Sequence, residues 1–68
     1  MQELQNRITK TLRSHGKIES DDNGLCKIFG EKEYDKIQMI FTKLKEDGKI
    51  SWYRVGDGTI NNIQWRGD

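Results

Sequence analysis

The dipeptide Asp57-Gly58 constrains this chain more than any other feature. It favours a type I′ turn, which needs positive φ at both central residues and closes a β-hairpin. A two-residue loop at that point determines every cross-strand pair. Ile50 falls opposite Trp65, Trp52 opposite Ile63 and Arg54 opposite Asn61 on one face. Ser51 meets Gln64, Tyr53 meets Asn62 and Val55 meets Ile60 on the other. A turn chosen on local chemistry alone thus gathers both Trp–Ile pairs on one side, so turn signal and hydrophobic pattern agree.

The segment before the hairpin reads as helical. Leu4, Ile8 and Leu12 share one stripe of a helix over about 2–14, with Arg13 and His15 at the negative end of its dipole and Gly16 as its stop. Lys17-Ile18-Glu19 is a short extended piece. Ser20-Asp21-Asp22-Asn23 offers N-caps for a second helix from Gly24 to Phe29, with Leu25, Ile28 and Phe29 buried and Gly30 ending it. A third helix is expected from Glu31 to Asp47, with Ile37, Ile40, Phe41 and Leu44 inward and Gly48 at C′. Phe41 and Trp52 are expected to be buried. The 68 residues predict one domain over 1–68.

The order is helix, strand, helix, helix, strand, turn, strand, an α+β arrangement. It resembles the winged helix-turn-helix superfamily, most of all along Ile37-x-x-Ile40-Phe41-x-x-Leu44-x-x-x-Gly48-Lys49-Ile50 and at Leu25 to Gly30 with its following turn. The resemblance implies a DNA-binding winged-helix protein, a small transcriptional regulator or architectural factor suited to a phage, virus or plasmid. Its third helix would enter the major groove and the hairpin would serve as a wing. On that docking Lys32, Lys36 and Lys43 meet phosphates or guanine edges, Gln38 reaches adenine, and Met39 and Thr42 lie on the contacting face. Arg54, Thr59 and Asn61 on the wing reach adjacent backbone or minor groove, and Arg7, Lys10, Arg13 and Lys17 supply further backbone contacts. A left-handed Z-form DNA reader is a narrower alternative. Aligning on Gly48-Lys49-Ile50 puts Gln38 and Thr42 where that family uses Asn and Tyr, and this hairpin has none of its prolines.

Charge tempers the DNA reading. The net charge is +1, whereas dedicated DNA-binding domains carry a larger basic excess. Residues 1–17 and 36–54 are basic, but 18–35 are acidic, and Glu31, Glu33 and Asp35 crowd the start of the third helix. The competing expectation is a protein-interaction module, an adaptor or subunit of a larger complex. Tyr53, Val55, Ile60 and Met39 would then be exposed apolar contacts, which also suit a homodimer.

No catalytic constellation is legible, so the chain is expected not to be an enzyme and to need no cofactor. His15 is the sole histidine and Cys26 the sole cysteine, too few for a zinc site of the usual ligands. Glu19 with Asp21-Asp22-Asn23 lacks the spacing and distal bidentate Glu of a calcium loop. No helix N-terminus follows Gly56-Asp57-Gly58, which separates it from a phosphate loop. Arg66-Gly67-Asp68 matches an integrin-binding tripeptide, read as coincidence because the lone cysteine and the missing apolar leader point to a reducing compartment, cytoplasm, nucleoid or nucleus. No apolar run approaches the roughly 20 residues a bilayer demands, so no membrane partner is expected.

Overall fold

A computed structural model describes residues 2–67; Asp68 of the terminal tripeptide lies outside the described residues. The elements are α1 (Gln2–His15), β1 (Lys17–Ser20), α2 (Asp22–Phe29), α3 (Tyr34–Glu46), β2 (Ile50–Val55) and β3 (Ile60–Trp65). This helix, strand, helix, helix, hairpin order is the α+β, winged-helix-like architecture expected from the sequence. Among the described residues no helix is long and apolar enough to cross a membrane.

Each helix buries the stripe its periodicity specified, with one exception. Leu4, Ile8 and Leu12 of α1 and Ile37, Ile40, Phe41 and Leu44 of α3 close onto Ile18, Ile50 and Ile63 of the sheet. In α2, Leu25 and Phe29 are buried but Ile28 is 45% exposed. Leu25 and Phe29 stand four apart and already fill the inward stripe of this eight-residue helix, so Ile28 falls on its flank. Phe29 and Phe41 meet edge to face at 6.0 Å, and Phe41 meets Trp52 at 5.4 Å. Trp52 is only partly buried, against the sequence expectation.

The helix ends follow from backbone bonding. Asp21 caps α2, its carboxylate accepting the Gly24 N–H at 2.7 Å. Helix α3 starts at Tyr34 rather than Glu31, because residues 31–33 form a turn in which the Glu31 carboxylate accepts the Glu33 N–H at 3.0 Å. At the other end of α3, Gly48 (φ 75°) takes the left-handed conformation. The Gly48 N–H then reaches the Lys45 carbonyl at 3.0 Å and the Lys49 N–H the Leu44 carbonyl at 2.9 Å, the paired bonds of a Schellman stop.

The sheet order is β1-β3-β2, antiparallel throughout. All six expected pairs between β2 and β3 are present. The loop closing them is longer than expected. Trp65 N–H bonds the Gly16 carbonyl at 2.8 Å on the β1 side, while Arg66 N–H bonds Lys49 at 2.7 Å on the β2 side. In an antiparallel ladder the bonding alternates, so Ser51, Tyr53 and Val55 bond across to β3, while Ile50, Trp52 and Arg54 sit in close, non-bonded pairs. Val55 and Ile60 therefore close a four-residue loop, Gly56–Thr59. Within it Gly58 N–H reaches Val55 at 3.2 Å, Thr59 N–H reaches Gly56 at 3.1 Å, and Gly56, Asp57 and Gly58 all have positive φ. Register survives because loops of two and four residues centred on the same dipeptide align the same partners.

Candidate nucleic-acid interface

The buried stripe of α3 determines which of its side chains can reach a partner. With Ile37, Ile40, Phe41 and Leu44 locked inward, Asp35, Met39, Thr42 and Glu46 form the outermost row at helical spacing. Gln38 and Lys45 lie on one flank of that row, Lys36 and Lys43 on the other. Met39 is 64% exposed, and Lys32, Lys36, Gln38, Thr42 and Lys43 are exposed too. The Thr42 hydroxyl donates to the Gln38 carbonyl at 2.9 Å, leaving its oxygen able to accept a further bond.

The cations differ in how committed they are. Lys36 Nζ pairs with Glu33 at 3.1 Å; that hydrogen bond, with the charges of Glu33 and Glu31, holds the ammonium above its usual pKa. Lys10, Lys32 and Lys43 form no ion pair among the described residues. Arg7 Nε donates to the Phe29 carbonyl at 2.8 Å, satisfying the end of α2, and lines a depression with Lys36, Glu3, Leu4 and Glu31. Lys17 lies 3.5 Å from Glu19, and the Arg13 guanidinium lies 6.0 Å from the Trp65 ring centroid. Of Arg7, Lys10, Arg13 and Lys17, Arg7 is the one that shares a depression with a lysine of α3 among the described residues.

On the hairpin the expectation needs correction. Asn61 is fully buried, and all of its amide's hydrogen-bonding capacity is used inside. Its Oδ1 accepts from Tyr34 Oη at 3.1 Å and Trp52 Nε1 at 3.0 Å, and its Nδ2 donates to the Ser20 carbonyl at 3.3 Å and Asp22 Oδ1 at 2.8 Å. Asn61 is therefore a hub joining β1, α2, α3 and β2, and is no part of a surface. Arg54 closes the same network: it donates to Tyr34 Oη at 2.9 Å and the Gly58 carbonyl at 3.0 Å and lies 3.5 Å from Asp22. Desolvation and the Asp22 charge raise the Tyr34 pKa, with Arg54 opposing, so the phenol stays a donor. Thr59 turns its hydroxyl onto the Gly56 carbonyl at 2.5 Å. Of the three wing residues proposed for DNA, only Thr59 remains an exposed tip residue uninvolved in this network.

No family model, curated protein or solved structure matches this chain.

The protein's charges separate along the sheet. The chain enters α2 and α3 beside the hairpin loop, where Asp22 and Tyr34 contact Arg54 and Asn61. It leaves α1 and α3 at the opposite end, where Gly16 bonds Trp65 and Lys49 bonds Arg66. Acids stabilise helix starts and cations helix ends. Asp21, Asp22, Glu33 and Asp35 accordingly gather near the loop, while Arg13, His15, Lys43 and Lys45 lie toward the far end. The helix starts are thus acidic at one end, the acidic pole, and the helix ends basic at the other, although Lys36 and Arg54 pair into the acidic end and Glu46 and Asp47 close α3 at the basic one. Helix electrostatics accounts for this separation before any ligand is invoked.

Cys26 sits by the acidic pole, its thiol 3.9 Å from the Lys32 carbonyl. Desolvation, then the charges of Asp22 and Glu31, raise its pKa. We expect a disulfide reagent at pH 8 to modify Cys26 more slowly in the folded protein than in urea, because the thiolate is the nucleophile. Equal rates would mean that the thiol does not sense these neighbours.

Proposed function

We propose that the chain binds duplex DNA through the solvent face of α3, as a small transcriptional regulator or architectural factor without catalytic activity. The observation that carries this reading is the solvent face of α3, where Met39 and Thr42 stand in the outermost row with Asp35 and Glu46 and are flanked by Gln38 on one side and Lys43 on the other, opposite a buried face. A rigid helix presenting an amide, a hydroxyl, an apolar tip and an ammonium matches what a major groove offers. Gln38 suits adenine N6 and N7, Met39 a thymine methyl, and Lys43 a phosphate or guanine edge. Asn61 acts from behind, and the exposed Arg54 joins it in fixing the hairpin against the start of α3.

The electrostatic cost also follows. The acidic pole flanks the start of α3 and Glu46 stands in its outermost row, so phosphates approach best along the flank that carries Lys43. Few phosphates are then neutralised, and affinity is modest. Anisotropy titration of random duplex DNA at two salt concentrations tests this. Contacts to about four phosphates predict a slope of log affinity against log salt near −3.6. Lys43→Ala is expected to flatten the slope by about one. Lys36→Ala should flatten it less, since Lys36 must leave Glu33 to reach a phosphate. Unchanged affinity in the double variant Lys36→Ala/Lys43→Ala overturns the docking.

No binding at low salt would favour the second reading, a protein-interaction module. The specific observation behind it is the acidic pole beside a hairpin whose arginine is already engaged, together with exposed Tyr53 and Val55.

A further inference from the structure

We propose that the protein self-associates through the open edge of β2, two copies pairing antiparallel about a two-fold axis at Tyr53. The two edges of the sheet are not equivalent. β1 is four residues long and carries the Lys17–Glu19 ion pair, the kind of charge that discourages edge pairing. β2 is six residues of Ile-Ser-Trp-Tyr-Arg-Val without proline or lysine, and its register against β3 runs unbroken. Arg54, the one charge within β2, is exposed but tied down by Tyr34, Asp22 and the Gly58 carbonyl instead of projecting over the edge. Tyr53 is 53% exposed and Val55 39% exposed, both on the sheet face away from the helices.

The bonding parity of the sheet selects the register. Ser51, Tyr53 and Val55 spend their backbone groups on β3, so the outward N–H and C=O groups belong to Ile50, Trp52 and Arg54. A second β2 must use those groups, which leaves two central registers. With Trp52 on the axis, Ser51 faces Tyr53 of the second copy and Lys49 faces Val55, so the tyrosines stay apart. With Tyr53 on the axis, Trp52 bonds Arg54 of the second copy, Tyr53 meets Tyr53, and Ser51 meets Val55. This arrangement brings the two largest exposed side chains of the edge together at a non-hydrogen-bonded position, where cross-strand side chains come closest. One strand pair falls short of the roughly 1,000 Å² that lasting interfaces bury. The dimer is therefore weak and dissociates on dilution.

Disulfide trapping in free protein tests this without reference to DNA, so its failure leaves the DNA reading standing. In a Cys26→Ser background, Tyr53→Cys places two thiols at a pair whose Cα atoms lie about 4.5 Å apart, within disulfide range. Mild oxidation with copper phenanthroline is expected to link Tyr53→Cys into dimers on a non-reducing gel. Ser51→Cys and Val55→Cys should stay monomeric singly and link when combined in one chain. In the wild type, the sedimentation coefficient should rise with concentration, and Tyr53→Lys should abolish that rise. Equal linking by all three single variants, or none by a Tyr53→Cys protein with a native circular dichroism spectrum, overturns the proposal.

Discussion

Phe41→Ala is expected to destabilise the protein by roughly 3–5 kcal/mol, the range for truncating a buried aromatic. Phe41 has no exposed surface and touches Phe29 and Trp52 edge to face, so one ring joins α2, α3 and β2. Aromatic pairs of this geometry add to the burial term, and a rigid helix cannot move in to fill the space. At about 0.05–0.15 kcal/mol per residue, a domain this small has about 3–10 kcal/mol in all. The loss is therefore about a third or more of the total, and the urea midpoint should fall well below wild type by tryptophan fluorescence and circular dichroism. Trp52→Ala should cost less, because Trp52 is only partly buried and keeps part of its ring in water. A Phe41→Ala loss under about 1 kcal/mol would mean that the core is organised around other residues.

Much of the fold was legible because its signals were local. The apolar stripes of α1 and α3 and the Gly48 stop each depend on residues within one or two turns, and the hairpin register depends on one dipeptide. The start of α3 was misplaced because Glu31, Glu33 and Asp35 are equally good at a helix start. What decides among them is a turn closed by the Glu31 carboxylate, and no periodicity reports that.

The candidate site was less legible, since Asp22 and Tyr34 come to Asn61 from distant parts of the chain. Yet one signal was present. The register that put both tryptophans on the inner face put Arg54 and Asn61 there too, beside Trp52 and Ile63. Polar residues on a core face need internal partners. Parity alone therefore argued against reading Asn61 as an outward contact to DNA; Arg54, nearer the hairpin tip, has internal partners yet stays exposed. The outer row of α3 is different: periodicity exposes it but says nothing of what it meets.

Asn61 carries the second large effect. Asn61→Ala removes two donors and two acceptor sites from a buried position, leaving Trp52 Nε1 and the Tyr34 hydroxyl without their acceptor. Each orphaned group costs about 1–3 kcal/mol, while Asp22 keeps Arg54 at 3.5 Å, so a total of roughly 2–4 kcal/mol is expected in urea melts. Asn61→Asp separates hydrogen bonding from size. It keeps the shape and the acceptor for Trp52 and Tyr34 but turns an oxygen toward Asp22 Oδ1 and the Ser20 carbonyl. The new carboxyl is buried beside a like charge, so its folded pKa lies above the unfolded value of about 3.9. Such a group favours folding only while protonated, and its contribution is lost as pH rises through the folded pKa. Asn61→Asp should therefore be less stable than Asn61→Ala at pH 7, and the gap should narrow as pH falls toward 4. A pH-independent gap would mean that the carboxyl has turned away from Asp22. The four-way junction would then be a looser anchor for the hairpin than the amide geometry requires.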